Sequence, residues 1–160
     1  MKKIQLTTTF TVFDDLTELS SDDQNLIETA VKNRNKAYAP YSNFSVGAAL
    51  LLSNGTIISG NNQENAAYPS GMCAERVAIY SAGALHPEAN VLKIAISASS
   101  SQKKVSKPVG PCGACRQAIA EYEVNQNEAI EIYFMGETGK VVKSNSLANL
   151  LPLGFDKSAL

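Results

Sequence analysis

No block of lysine or arginine occurs anywhere in this chain, and its formal net charge is only −1. A nucleic-acid binder normally carries a clustered basic face, so long polynucleotides are not expected as partners. No apolar run is long enough to cross a bilayer, which argues against a membrane protein. The opening Met1-Lys2-Lys3-Ile4-Gln5-Leu6 has the charged start of a secretory signal, but Thr7, Thr8, Thr9, Asp14 and Asp15 break any apolar region behind it. Cysteine is scarce and odd in number, three in all. That fits a reducing compartment and metal binding better than a disulfide framework. A cytoplasmic, soluble protein is expected. Histidine is rarer still: the single copy, His86, precedes Pro87 in a turn and reads as structural. No repeat, low-complexity tract or linker divides the chain, whose 160 residues fit one domain with 44% hydrophobic residues for a core.

The hydrophobic pattern places the elements. Residues 1–20 read as an N-terminal extension, with a strand or arm around Phe10 to Phe13, and residues 21–160 as the domain proper. Ser21 with Gln24 forms a capping box, and helical spacing continues through Leu26, Ile27, Ala30 and Val31 until Pro40. Val46 to Leu52 and Thr56 to Ser59 flank Asn54-Gly55, a strong hairpin signal. Helices are expected to start near Cys73 and Cys112, and buried strands at Val91 to Ala98 and Ile130 to Met135. Gly136 to Gly139 turns the chain into a further strand at Lys140 to Lys143. Strands alternating with helices predict an α/β protein, a three-layer α/β/α sandwich around a mixed sheet of about five strands.

Chemistry concentrates on the three cysteines. They stand as Cys73-Ala74-Glu75-Arg76 and Pro111-Cys112-Gly113-Ala114-Cys115. Three thiolates around zinc leave one tetrahedral corner for water, which is the catalytic rather than the structural arrangement. Both groups fall where a helix begins, and the positive end of a helix dipole lowers thiol pKa values. Glu75, two residues after the first ligand, supplies a carboxylate near that water. Three thiolates over-neutralise Zn²⁺, so a cation is needed beside them; Arg76 or Arg116 is placed to hydrogen-bond the sulfurs, Arg76 for preference. A redox reading of Cys112 and Cys115 alone leaves Cys73 and Glu75 without a role. A zinc-stabilised binding module, the non-enzyme alternative, lacks a fourth ligand.

A Cys-x-Glu segment followed by Pro-Cys-x-x-Cys is the zinc deaminase arrangement and points to hydrolytic deamination. Ala39-Pro40-Tyr41-Ser42-Asn43-Phe44, Asn62-Gln63-Glu64-Asn65-Ala66-Ala67-Tyr68 and Leu150-Leu151-Pro152-Leu153-Gly154-Phe155 extend the match from about Leu26 to Phe155. Together these resemble the small, homotetrameric, zinc-dependent cytidine deaminases, whose fold is the same three-layer sandwich. The resemblance implies cytidine or 2′-deoxycytidine plus water giving uridine or 2′-deoxyuridine plus ammonia, in pyrimidine salvage. It implies one Zn²⁺ per chain on Cys73, Cys112 and Cys115, with Glu75 as proton shuttle. It further implies that Phe44 packs on the pyrimidine, Asn62 and Glu64 hold the ribose, and backbone at Ala74 contacts the base. Phe155 would reach a neighbouring subunit's site in a homotetramer. On residue type alone Phe44 reads as core, Asn62 and Glu64 as loop caps, and Phe155 as an anchor on its own subunit. Gln63 stands where the family usually has an aliphatic residue. The ribose segment's only charge is negative, which favours a free nucleoside over a nucleotide, since a 5′-phosphate needs cationic or amide donors. A cytosine-containing antibiotic such as blasticidin S is the alternative substrate, disfavoured by the Asn-x-Glu-Asn segment.

Overall fold

Alternation along one strand decides the layering. In the computed structural model, which describes residues 1–160, β2 (Phe44–Leu52) sends Ala48, Leu50 and Leu52 into one apolar cluster and Ala49 and Leu51 into another. A strand apolar on both sides must be covered on both sides. Around it stand β1 (Thr11–Phe13), β3 (Ile57–Asn61), β4 (Val91–Ser100), β5 (Glu131–Met135) and β6 (Val141–Ser144). Their order in the sheet is β1-β6-β5-β4-β2-β3, with β4 and β5 parallel and every other pair antiparallel. Helix α1 (Ser21–Arg34) packs Leu26, Ile27 and Ala30 on one face, against Ala49, Ala95 and Tyr133. On the other face α2 (Ala74–Leu85) and α3 (Gly113–Gln126) pack Ala78, Ile79 and Ile119 against Leu50, Ile94 and Ile132. This is the expected three-layer α/β/α sandwich.

The sheet has six strands, not five. The additional one is β1, which pairs with β6 through Thr11–Lys143 and Phe13–Val141. The strand or arm expected around Phe10 to Phe13 is thus a strand, three residues long, completed by a partner from the far end of the chain. The β2–β3 hairpin closes at Asn54-Gly55 as expected, with Gly55 at φ +82°, a conformation side-chain-bearing residues rarely take. Two details of α1 differ from expectation. Its cap is Ser20, whose Oγ accepts from the Asp23 N–H, one residue earlier than the Ser21 reading. Its end is Arg34, not the residues before Pro40, because the Tyr38 N–H donates to the Asn62 carbonyl and the Glu64 N–H to the Tyr38 carbonyl. Pairing with a distant loop overrides the local helical spacing there.

Candidate active site

Two helix starts meet at one end of the sheet. Cys73 caps α2 and Cys112 caps α3, each with extended backbone, and their carbonyls accept the first helical bonds from Val77 N and Arg116 N. Cys115 follows in the first turn of α3 and is buried. The close seating of α2 is visible at Gly60 on β3: a Cβ there would lie 2.6 Å from the Ala74 carbonyl oxygen. No larger residue fits without moving the turn that carries Cys73 and Glu75.

The three sulfurs lie within 4.8 Å of one another, all free thiols, with Cys112 and Cys115 Sγ 3.5 Å apart. Zinc bound tetrahedrally at about 2.3 Å per sulfur spaces its ligands about 3.8 Å apart, so this trio fits the ion. Arg76 Nη2 reaches Cys73 Sγ at 3.5 Å, and its buried Nε has no partner. Arg116 is engaged elsewhere, donating to the carbonyls of Pro111 and Leu150 at 2.8 Å each. The Cys73 thiol is pulled down to about 5, first by the hydrogen bond from Cys115 and then, against the cost of burial, by Arg76. Cys115 moves up, because it gives that hydrogen bond and is itself buried. Metal binding requires thiolates and displaces whatever protons the three sulfurs still carry. Glu75 is buried, and burial, reinforced by the charge at Cys73, pushes its carboxyl above the usual range.

A cavity of about 440 Å³ opens over these groups, lined by Cys73, Ala74, Glu75 and Cys112 from the two helix starts together with Phe44, Val46, Asn62 and Glu64. A second hollow of similar size adjoins it and shares Ser42, Asn62, Glu64 and Cys73, with Arg76 and the edge-packed Tyr41–Tyr68 pair along its wall. Asn62 crosses between strands, accepting from the Val46 N–H at 2.7 Å and donating to the Phe44 carbonyl at 3.0 Å. Glu64 accepts from the N–H groups of Tyr41 and Ser42 and from the Ser42 hydroxyl; the hydroxyl bond is the chief reason its carboxyl sits below the usual range. Phe155 stands apart. It is 60% exposed, its carbonyl is held by Gln117 Nε2, and it lines neither hollow of its own chain. Sequence reasoning assigns no role to Ser42, Val109 or Gly110, which also line the first cavity. Ser42 is visible only once the fold brings residues 41–42 against residue 64.

The family model described as "Cytidine and deoxycytidylate deaminase zinc-binding region" matches residues 20–129. A cytidine deaminase of Sporosarcina psychrophila is 40% identical over 139 residues, covering 87% of this chain and 95% of its own. One from Halalkalibacterium halodurans is 39% identical over 134 residues, covering 84% and 94%. The crystal structure of cytidine deaminase from Burkholderia pseudomallei superimposes with a TM-score of 0.71 at 38% identity, covering 86% of this chain and all of that one.

Proposed function

The chain belongs to the zinc-dependent cytidine and deoxycytidylate deaminases, and from that premise we propose that it deaminates the free nucleosides cytidine and 2′-deoxycytidine in pyrimidine salvage. It is a zinc-dependent hydrolytic deaminase acting on cytidine, with one zinc per chain. The observation that carries the detailed reading is Glu75, buried in the wall of the cavity that Cys73 and Cys112 also line.

Cys73, Cys112 and Cys115 hold the zinc, which when bound supplies the Lewis acidity that makes water a nucleophile at neutral pH. The remaining work falls to the chain. Glu75 accepts a proton from the attacking water and passes it to N3 of the pyrimidine, so that C4 becomes electrophilic. The same carboxyl then carries the second proton to the leaving amino nitrogen, and ammonia departs. Phe44 packs on the pyrimidine ring, and the backbone at Ala74 contacts its polar edge. Asn62 and Glu64, which line the same cavity, hold the ribose hydroxyls. Arg76 balances the negative charge of the sulfurs through Cys73.

The first cavity has two carboxylates and no lysine or arginine on its wall, which supports a nucleoside over a 5′-phosphorylated substrate. The exposed tail, with Leu153 89% and Phe155 60% accessible, supports a homotetramer in which each tail closes a neighbour's site. We place the enzyme in the cytoplasm on the strength of its free thiols, and no helix is long and apolar enough to cross a membrane. Residues 21–160 are proposed as the catalytic domain and residues 1–20 as an extension added to it, in keeping with the family match beginning at residue 20. Ammonia release from cytidine, deoxycytidine and their 5′-monophosphates tests the reading directly. Turnover of both nucleosides with little on the monophosphates is expected; equal turnover of the monophosphates overturns the nucleoside assignment.

A further inference from the structure

The first fourteen residues have an order that the deaminase chemistry does not use. β1 is the last strand of the sheet, with β6 on one side and nothing on the other. Proteins usually blunt such an edge with lysine, proline or a bulge, and Thr11-Val12-Phe13 has none of these. Residues 1–10, which precede it, are exposed and unpaired. Beyond the first residue, Met1, their large apolar side chains fall only on even positions: Ile4, Leu6 and Phe10, continued by Val12, are 80%, 54%, 37% and 54% exposed. In an extended chain these share one face. That face runs on across the sheet, since Val12 lies opposite Val142 and Val142 opposite Phe134, which packs on the α2–α3 core.

We propose that residues 2–14 form a strand that pairs antiparallel with the same strand of a second copy of this chain, about a twofold axis at Thr8. The sequence is self-complementary around that point. Pairing Thr8 with Thr8 sets Leu6 opposite Phe10, Ile4 opposite Val12 and Lys2 opposite Asp14. Apolar and opposite-charge cross-strand pairs are the contacts that stabilise a sheet. A one-residue slip puts the apolar row against the polar one. A two-residue slip keeps the faces matched but sets Lys2 opposite Val12, or Ile4 opposite Asp14, and loses the ion pair. Only one register satisfies both patterns. Asp14 already meets Lys140 at 2.7 Å while remaining largely exposed, so its carboxylate is free to face a second cation. A surface complementary to itself makes an isologous contact, which closes at two copies and hides both edges.

The pairing is independent of the catalytic reading, and its test reads a covalent band rather than activity. Directly opposed residues of antiparallel strands have Cα atoms about 4.5–5.5 Å apart, within disulfide range. Full-length Thr8→Cys, treated with oxidised glutathione and run without reductant, should shift to a band at twice the 17.1 kDa chain mass. Gln5→Cys, which has Thr11 opposite it in this register, carries the same number of thiols and should stay at the chain mass. Adding Leu6→Lys to Thr8→Cys should abolish the doubled band. Absence of that band in Thr8→Cys, an equal band in Gln5→Cys, or its survival beside Leu6→Lys would each overturn the proposal.

Discussion

Glu75 is the one carboxylate buried in the wall that the thiols line, and the proposed mechanism asks it to move two protons. Glu75→Gln keeps the shape and removes the base. Turnover should fall by roughly 10²–10⁴-fold, the usual contribution of such a group, while zinc content by metal analysis stays at one per chain. Near-normal turnover would move the shuttle to another residue. Glu64 answers a different question, because it already accepts three hydrogen bonds from Tyr41 and Ser42. If it also holds ribose, Glu64→Gln and Asn62→Ala should lower kcat/KM for cytidine by roughly 5–150-fold, equivalent to about 1–3 kcal/mol for a ribose hydroxyl left unpaired in the complex. Binding of a free pyrimidine base should change far less; equal losses on nucleoside and base would remove the ribose assignment. Cys73, Glu75 and Arg76 were legible in the sequence because they are neighbours on one helix turn. The crossing of Asn62 between Val46 and Phe44 was not, since it depends on the register of a hairpin.

At the scale of elements, α1 is fastened to the sheet by charge as well as by Leu26 and Ile27. Lys93 on β4 lies 2.7 Å from Asp23 on α1 and 3.5 Å from Glu131 on β5; Lys143 on β6 also bonds Glu131, and Tyr133 lies beside both lysines. Burial pulls the Asp23 carboxyl upward, but hydrogen bonds from Lys93 and Ser20 bring it net below its ordinary value. Glu131 is lowered in the same way, with Lys143 the leading partner. A carboxylate whose folded pKa lies below its unfolded one adds stability above the unfolded value and loses it as pH falls through the folded one. The midpoint of urea unfolding should therefore drop steeply below about pH 4, near the ordinary carboxylate values. Asp23→Asn should cost about 1–3 kcal/mol at neutral pH and flatten that acid limb. An unchanged acid limb in the variant would show that α1 is held by apolar packing alone. The long elements could be read from periodicity, because β2, β4 and α1 bury continuous apolar faces. β1 could be read only as a strand or arm around Phe10 to Phe13, and the true end of α1 not at all, because β6 and the loop after β3, far away in sequence, define them.

Across the whole molecule the feature still to be accounted for is the tail. Arg116 and Gln117 of α3 grip the carbonyls of Leu150 and Phe155, and Glu123 accepts from the N–H groups of Leu147 and Ala148 and from the Ser146 hydroxyl. The tail is thus anchored along its backbone while Leu153 and Phe155 project into solvent. Leaving two large apolar side chains outside on a well-held backbone makes physical sense if another subunit covers them. A closed symmetric assembly does this for every copy at once. If each site takes Glu75 from one chain and Phe155 from its neighbour, Glu75→Gln and Phe155→Ala should be individually impaired but complementary. After subunit exchange at equal amounts, random assortment gives about one quarter of sites an intact Glu75 beside an intact foreign Phe155. Activity should rise toward that fraction over the exchange time, with sedimentation showing tetramers throughout. A mixture no more active than the sum of its parts, or a Phe155→Ala enzyme with unaltered kinetics, would confine the site to a single chain and leave the thiol trio and Glu75 as they are.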